Sequence, residues 1–150
     1  MVIEVIRSRE RYVKECLPNL STRYNGVMPI DHWNCVVTGT EGSLIGRGLS
    51  NCASAAIWMY QRSMLTHCEP AFSARCFSQI KEIVRQPAPY AEIVIVYPRG
   101  RTETLTKMKE GLCPLFPDAE IGEAAYGTTV DSLIFYIDEK KLFILEQRER

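Results

Sequence analysis

The chain has 150 residues, 46% of them hydrophobic and 24% charged, with eighteen Lys and Arg against eighteen Asp and Glu. That balance lacks the basic footprint of a nucleic-acid binder, and no apolar run approaches the roughly 18 residues a membrane helix needs. The length corresponds to one domain, residues 1–150, which at this size buries about 68–70% of its extended surface without help from metal or disulfides.

Met1–Ile6 reads as a short strand, and the first fifteen residues mix acids with bases and have no signal-type apolar core. The expectation is a protein that folds in the cytoplasm, or one exported into a host cell without a cleavable signal. Arg9–Leu17 places Tyr12, Val13, Cys16 and Leu17 on one helical face, and Pro18 stops it. Trp33–Thr38 reads as a strand, Gly39–Gly42 as a turn and Ser43–Leu49 as a second strand. In Cys52–Glu69, alanines favour a helix while Ile57, Trp58, Met59 and Tyr60 favour a strand. Gly48 and Pro70 frame this stretch as a hairpin with a turn at Gln61–Ser63. Phe72, Cys76, Phe77, Ile80, Ile83 and Val84 recur at helical spacing between Pro70 and Pro87, and Gln86–Pro89 is a loop. Ile93–Tyr97 is a strand buried on both faces. Thr102 caps a helix carrying Leu105, Met108 and Leu112, with Gly111 and Pro114 near its end. Thr129–Ile137 and Leu142–Gln147 flank Asp138–Lys141 as a terminal hairpin. The fold class is mixed α/β (α+β).

The six cysteines are irregularly spaced and form no C-x-x-C pair, so structural zinc is not expected and most read as small buried hydrophobes. Cys52 and His67 stand apart from that reading. A hairpin returns His67 to the end of the sheet where Cys52 enters, turning a gap of fifteen residues into a side-chain contact. A free thiol has a pKa near 8.5 and is only about 3% thiolate at pH 7; an adjacent imidazole removes the proton. The resulting nucleophile attacks a carbonyl-type carbon, and N–H groups of a tight turn stabilise the oxyanion. Gly48-Leu49-Ser50-Asn51-Cys52 is such a turn, with Ser50 and Asn51 as its supporting residues.

Leu49-Ser50-Asn51-Cys52 resembles the Leu-Ser-Gly-Cys motif of the catalytic domain of cytotoxic necrotizing factors, which deamidate a glutamine of Rho GTPases, and the spacing to His67 is similar. The same core occurs in Burkholderia lethal factor and in the chemoreceptor glutamine deamidase CheD. Their order of strand, cysteine turn, apolar strand, histidine strand with a following proline, and amphipathic helix is similar to Ser43–Gln86 here. The tail of strand, helix, Gly-containing segment (Ile121–Gly127) and hairpin also looks alike, so the pattern spans Ser43–Gln147. The resemblance implies a layered β-sheet or β-sandwich core with flanking helices, with the dyad at one end of a β-rich layer and the Phe72–Gln86 helix packed across that layer. It implies a cysteine-dependent protein glutamine deamidase with no cofactor and no metal, whose partner is a glutamine-bearing protein such as a GTPase or signalling protein. The chain departs from the pattern at Gly46, where CheD has a histidine-orienting threonine, at Asn51, where the toxins have glycine, and at Met64-Leu65, where CheD has glycines. In the toxin-like branch the histidine is oriented from upstream, and Asn25 and Thr38 are the candidates. Their ordinary roles are a turn pair with Gly26 and a strand end.

Other patterns point less far. His67-Cys68-Glu69-Pro70 contains the H-x-E of zinc nucleoside deaminases but lacks their P-C-x-x-C arm. The glycines of Gly39–Gly48 match no phosphate-binding fingerprint. Arg99-Gly100-Arg101 reads as a solvated loop, Glu146–Arg150 as a polar tail, and His32 as structural. Two further functions fit the same residues: a transglutaminase, if an amine replaces water, and a non-enzymatic α/β binding module in which Cys52 is an inert core thiol.

Overall fold

Short runs of Val, Ile, Leu, Phe and Tyr, separated by Gly, Asp, Ser and Pro, become the strands of this chain. The computed structural model describes residues 1–8, 36–69, 73–84 and 90–147. Its strands are β1 (Val2–Ser8), β2 (Val36–Gly39), β3 (Ser43–Leu49), β4 (Ser54–Trp58), β5 (Ser63–Thr66), β6 (Glu92–Pro98), β7 (Glu120–Tyr126), β8 (Val130–Tyr136) and β9 (Lys141–Gln147). Two helices, α1 (Ser73–Ile83) and α2 (Thr102–Leu112), complete the described elements. The predicted helix over 9–17, Asn25 and His32 lie outside the described residues.

The strands form two sheets, ordered β1-β9-β8-β3 and β2-β5-β4-β6-β7. Period-two alternation gives each sheet two apolar faces. Leu44, Leu133, Phe135, Leu142 and Ile144 of the first sheet meet Ala56, Trp58, Leu65, Val94 and Val96 of the second. On its other face the second sheet presents Ala55, Ile57, Met64, Ile93 and Ile95 to Cys76, Ile80 and Val84 of the α1 segment and to Met108 and Leu112 of α2. The layers therefore run sheet, sheet, helices. A third cluster, Ile45, Ile134, Tyr136, Phe143 and Leu145, lies on the opposite face of the first sheet. This is the mixed, layered, β-rich core expected, and β6 is buried on both faces as its apolar run predicts.

Several details differ from the sequence reading. The turn after β2 passes from one sheet to the other, because β2 pairs with β5 while β3 pairs with β8. Ser63 belongs to β5, and its hydroxyl closes the preceding turn by accepting from the Met59 N–H at 3.2 Å and donating to the Met59 carbonyl at 3.3 Å. Segment 120–126 is a full strand parallel to β6; its Gly, Ala and Glu content hid it. Thr102 is the first helical residue of α2, not its cap: Arg101 occupies the N-cap and makes no side-chain capping bond. Gly111 lies within α2, where a Cβ would overlap the Phe77 ring of α1. Glu146 is no frayed tail residue. It is a buried member of β9 and accepts a hydrogen bond from the Gly127 N–H.

Trp58 ties the sheets together. Its indole is buried and donates to the Ile137 carbonyl at 3.2 Å. The Lys140 ammonium lies 3.7 Å from its ring centroid and 2.8 Å from Glu92 Oε2. Truncation by Trp58→Ala removes the ring and leaves a cavity, so unfolding free energy should fall by about 3–5 kcal/mol, read from denaturant midpoints, while Trp58→Phe recovers most of the loss. The Lys140 hydrogen bond, with the Met1 amino group, holds the Glu92 carboxyl below its ordinary pKa. A lowered folded pKa means stability present above the unfolded value and lost as pH falls through the folded one. Lys140→Met should raise the Glu92 pKa in an NMR titration and flatten the acid limb of the stability curve.

Candidate active site

The chain leaves the first sheet through Gly48, whose φ of 73° lies in the left-handed region that glycine enters without strain. Exposed Ser50 and Asn51 carry it across to the second sheet, and Cys52 is the first buried residue on arrival, 8% exposed. Ala53 and Cys68 then exchange both main-chain hydrogen bonds, at 3.0 and 2.8 Å. The same register continues through Ala56 opposite Leu65 and Ile57 opposite Met64. It sets Ser54 opposite His67 and Cys52 opposite Glu69.

Alternation places Cys52, Ser54, Ala56 and Trp58 on the face turned to the first sheet, with Leu65 and His67 of the returning strand. Cys52 and His67 are thus diagonal same-face neighbours, a spacing of about 7–8 Å between their backbones. His67 is buried at 6% exposure. Hydroxyls replace the regular ladder beside it: Ser54 donates to the Thr66 carbonyl, and Thr66 Oγ1 accepts from the Ala55 N–H at 2.8 Å. From β7, Tyr126 donates to the Cys52 carbonyl at 2.7 Å. Burial, then the neighbouring Cys52, raises the Tyr126 pKa, so its hydroxyl remains a donor.

Burial also pushes the Cys52 thiol up to about 11, with the Glu69 carboxylate and Cys68 adding to the shift. The Asn51 backbone N–H, hydrogen-bonded to the sulfur, acts in the opposite direction. This environment favours a resting thiol rather than the thiolate ion pair expected from the sequence. Of the supporting residues, Asn51 has its donor at the Cys52 sulfur and Ser50 stands one residue before it. Thr38 is opposite Met64 on the helix-covered face, so the structure does not bring it to His67. Gly46, where the CheD pattern has threonine, faces Leu65; a Cβ there would lie 3.4 Å from that side chain.

Three contributors were missed. Ser54 was within reach of the sequence, since it is two residues from Cys52 in a strand and shares its face. Glu69 enters the sequence reading only through the H-x-E pattern at His67-Cys68-Glu69. Tyr126 has no local signal, because the Gly, Ala and Glu of its strand carry little β propensity. Among the described residues no group of three or more His, Cys, Asp or Glu forms a potential metal site. Cys52, Cys68 and Cys76 are buried, as small hydrophobes are, whereas Cys113 is exposed. No protein-family model matches the chain, and no curated protein matches it.

Alkylation of Cys52 by iodoacetamide should therefore be slow at pH 7 and quicken toward pH 11, followed by peptide mass spectrometry. Glu69→Gln removes a charge that raises the pKa, so it should shift this profile to lower pH; an unshifted profile rejects the electrostatic account.

Proposed function

We propose that the protein is a cysteine-dependent protein glutamine deamidase in which Cys52 is the nucleophile and His67 the general base. The observation that supports this reading is the β4–β5 register, which makes Cys52 and His67 same-face neighbours where the chain crosses between sheets. The layered core with helices on one side is compatible with the scaffold implied by the resemblance to necrotizing-factor catalytic domains and CheD. Because Cys52 rests as a thiol, His67 takes the proton as sulfur attacks the carboxamide carbon, instead of holding a standing ion pair. N–H groups of the 48–52 turn, with that of Asn51 beside the sulfur, stabilise the oxyanion. The proton passes to the departing nitrogen, ammonia leaves, and water hydrolyses the thioester to a carboxylate. An amine in place of water makes the same dyad a transglutaminase. The substrate is a protein because a slender side-chain amide reaches a nearly buried sulfur while its backbone stays outside, and a GTPase or another signalling protein fits that description. Soluble folding in the cytoplasm, or delivery into a host cell, accompanies this reading.

The second reading, a non-enzymatic binding module, is favoured by the burial and raised pKa of Cys52. The two separate when candidate GTPases and ubiquitin-pathway proteins are incubated with the chain and mapped for amide-to-acid conversion. The deamidase reading expects conversion by wild type and none by Cys52→Ser, with the fold of the variant retained. His67→Ala should lower the rate by roughly 10²–10⁴-fold. Conversion at full rate by Cys52→Ser rejects the assignment.

A further inference from the structure

Cys68 and Cys76 meet on the helix-covered face of the second sheet, away from the face that carries Cys52 and His67. Cys68 is held by its two main-chain bonds to Ala53, and Cys76 by the packing of α1 beside Ile80 and Val84. Their sulfurs lie 2.7 Å apart, in close contact yet beyond the ~2.05 Å of a disulfide bond. Both side chains are buried, but Cys68 is not sealed off. It lines a pocket of about 90 Å³ with Glu69, Arg101, Thr104, Lys107 and Met108. One water needs only about 10–15 Å³ of such space, so hydrogen peroxide fits beside Cys68.

We propose that Cys68 and Cys76 are a peroxide-responsive dithiol, a site of oxidative modification separate from Cys52. Cys68 sulfur attacks one peroxide oxygen and the O–O bond breaks. The departing hydroxide takes the thiol proton as water, leaving Cys68 as a sulfenic acid. Cys76 sulfur then attacks Cys68 sulfur, the S–O bond breaks, and the leaving hydroxide combines with the Cys76 proton. Two thiols and one peroxide give one disulfide and two waters, and an external thiol reverses the step by exchange. The bond staples the strand pair that carries Cys52 and His67 to α1.

The test treats the full chain with limited hydrogen peroxide, unfolds it in the presence of iodoacetamide, and maps peptides without reduction. Trypsin cuts after Arg62, Arg75 and Lys81, which puts the two cysteines on separate peptides, 63–75 and 76–81. The expected result is those peptides joined, released by dithiothreitol, with a thermal midpoint for the oxidised chain above that of the reduced one. Cys76→Ser should lose the bond and accumulate a dimedone-trapped sulfenic acid at Cys68. Alkylation of both cysteines after an exposure that oxidises exposed Cys113 overturns the proposal, as does a bond from Cys68 to Cys52. The wild-type mapping decides the matter even where a variant fails to fold.

Discussion

The antiparallel pairing of β4 with β5 sets which residues between 52 and 69 can meet. Side chains alternate with a strict period of two, so a slip of one residue would send Cys52 and His67 to opposite faces of the sheet. Two features hold the register. Near the site the bridge between Ala53 and Cys68 supplies paired main-chain bonds. At the far end Ser63 closes the turn onto Met59, and Trp58 is packed between the sheets.

Burial has a second effect at Cys52. The thiol belongs to the intersheet core, with Tyr126 hydrogen-bonded to the Cys52 carbonyl, and an anion there loses hydration. The Glu69 charge opposite it works in the same sense, and one backbone N–H works against them. A nucleophile in such a place is quiet until something supplies a base and displaces the local water. That is a penalty for indiscriminate thiol chemistry, and it is equally the condition of an ordinary core cysteine. The face and the neighbours of Cys52 give the chemical reading its support; its resting ionisation does not.

Much of the scaffold was legible from local pattern. Ile93–Tyr97 announced a doubly covered strand, and the recurrence of Cys76, Ile80 and Val84 announced the face of α1. The hairpin bearing Cys52 and His67 followed from glycine and proline punctuation, although the propensities of Ala53, Ala55 and Ala56 favour a helix. Sheet membership was not legible: nothing local says that β2 and β3, four residues apart, join different sheets, since that is decided by which apolar faces find one another. Strand β7 was invisible because it lies at a sheet edge, where Gly122 and Ala124 suffice. For the site, residue types and spacing suggested Cys52 and His67, but the thiol pKa depends on burial, Glu69 and an N–H direction, all products of the tertiary fold. Thr38 failed as a partner because parity turns it to the other face.

The parallel pairing of β1 with β9, from Val2 beside Lys141 to Ser8 beside Gln147, has a temporal consequence. The first sheet is completed by strands drawn from opposite ends of these 150 residues. A chain emerging from the ribosome at about 5–20 residues per second exposes β1 long before its neighbour exists. Local hairpins such as β4–β5 form early, but closure of the first sheet waits for the last strand, since long-range pairing must meet its loop-closure entropy first. Until then Val2 and Val5 stand on an unpaired edge of the kind that recruits foreign strands, and emergence of β9, rather than of the cysteine segment, marks the moment at which this sheet can close.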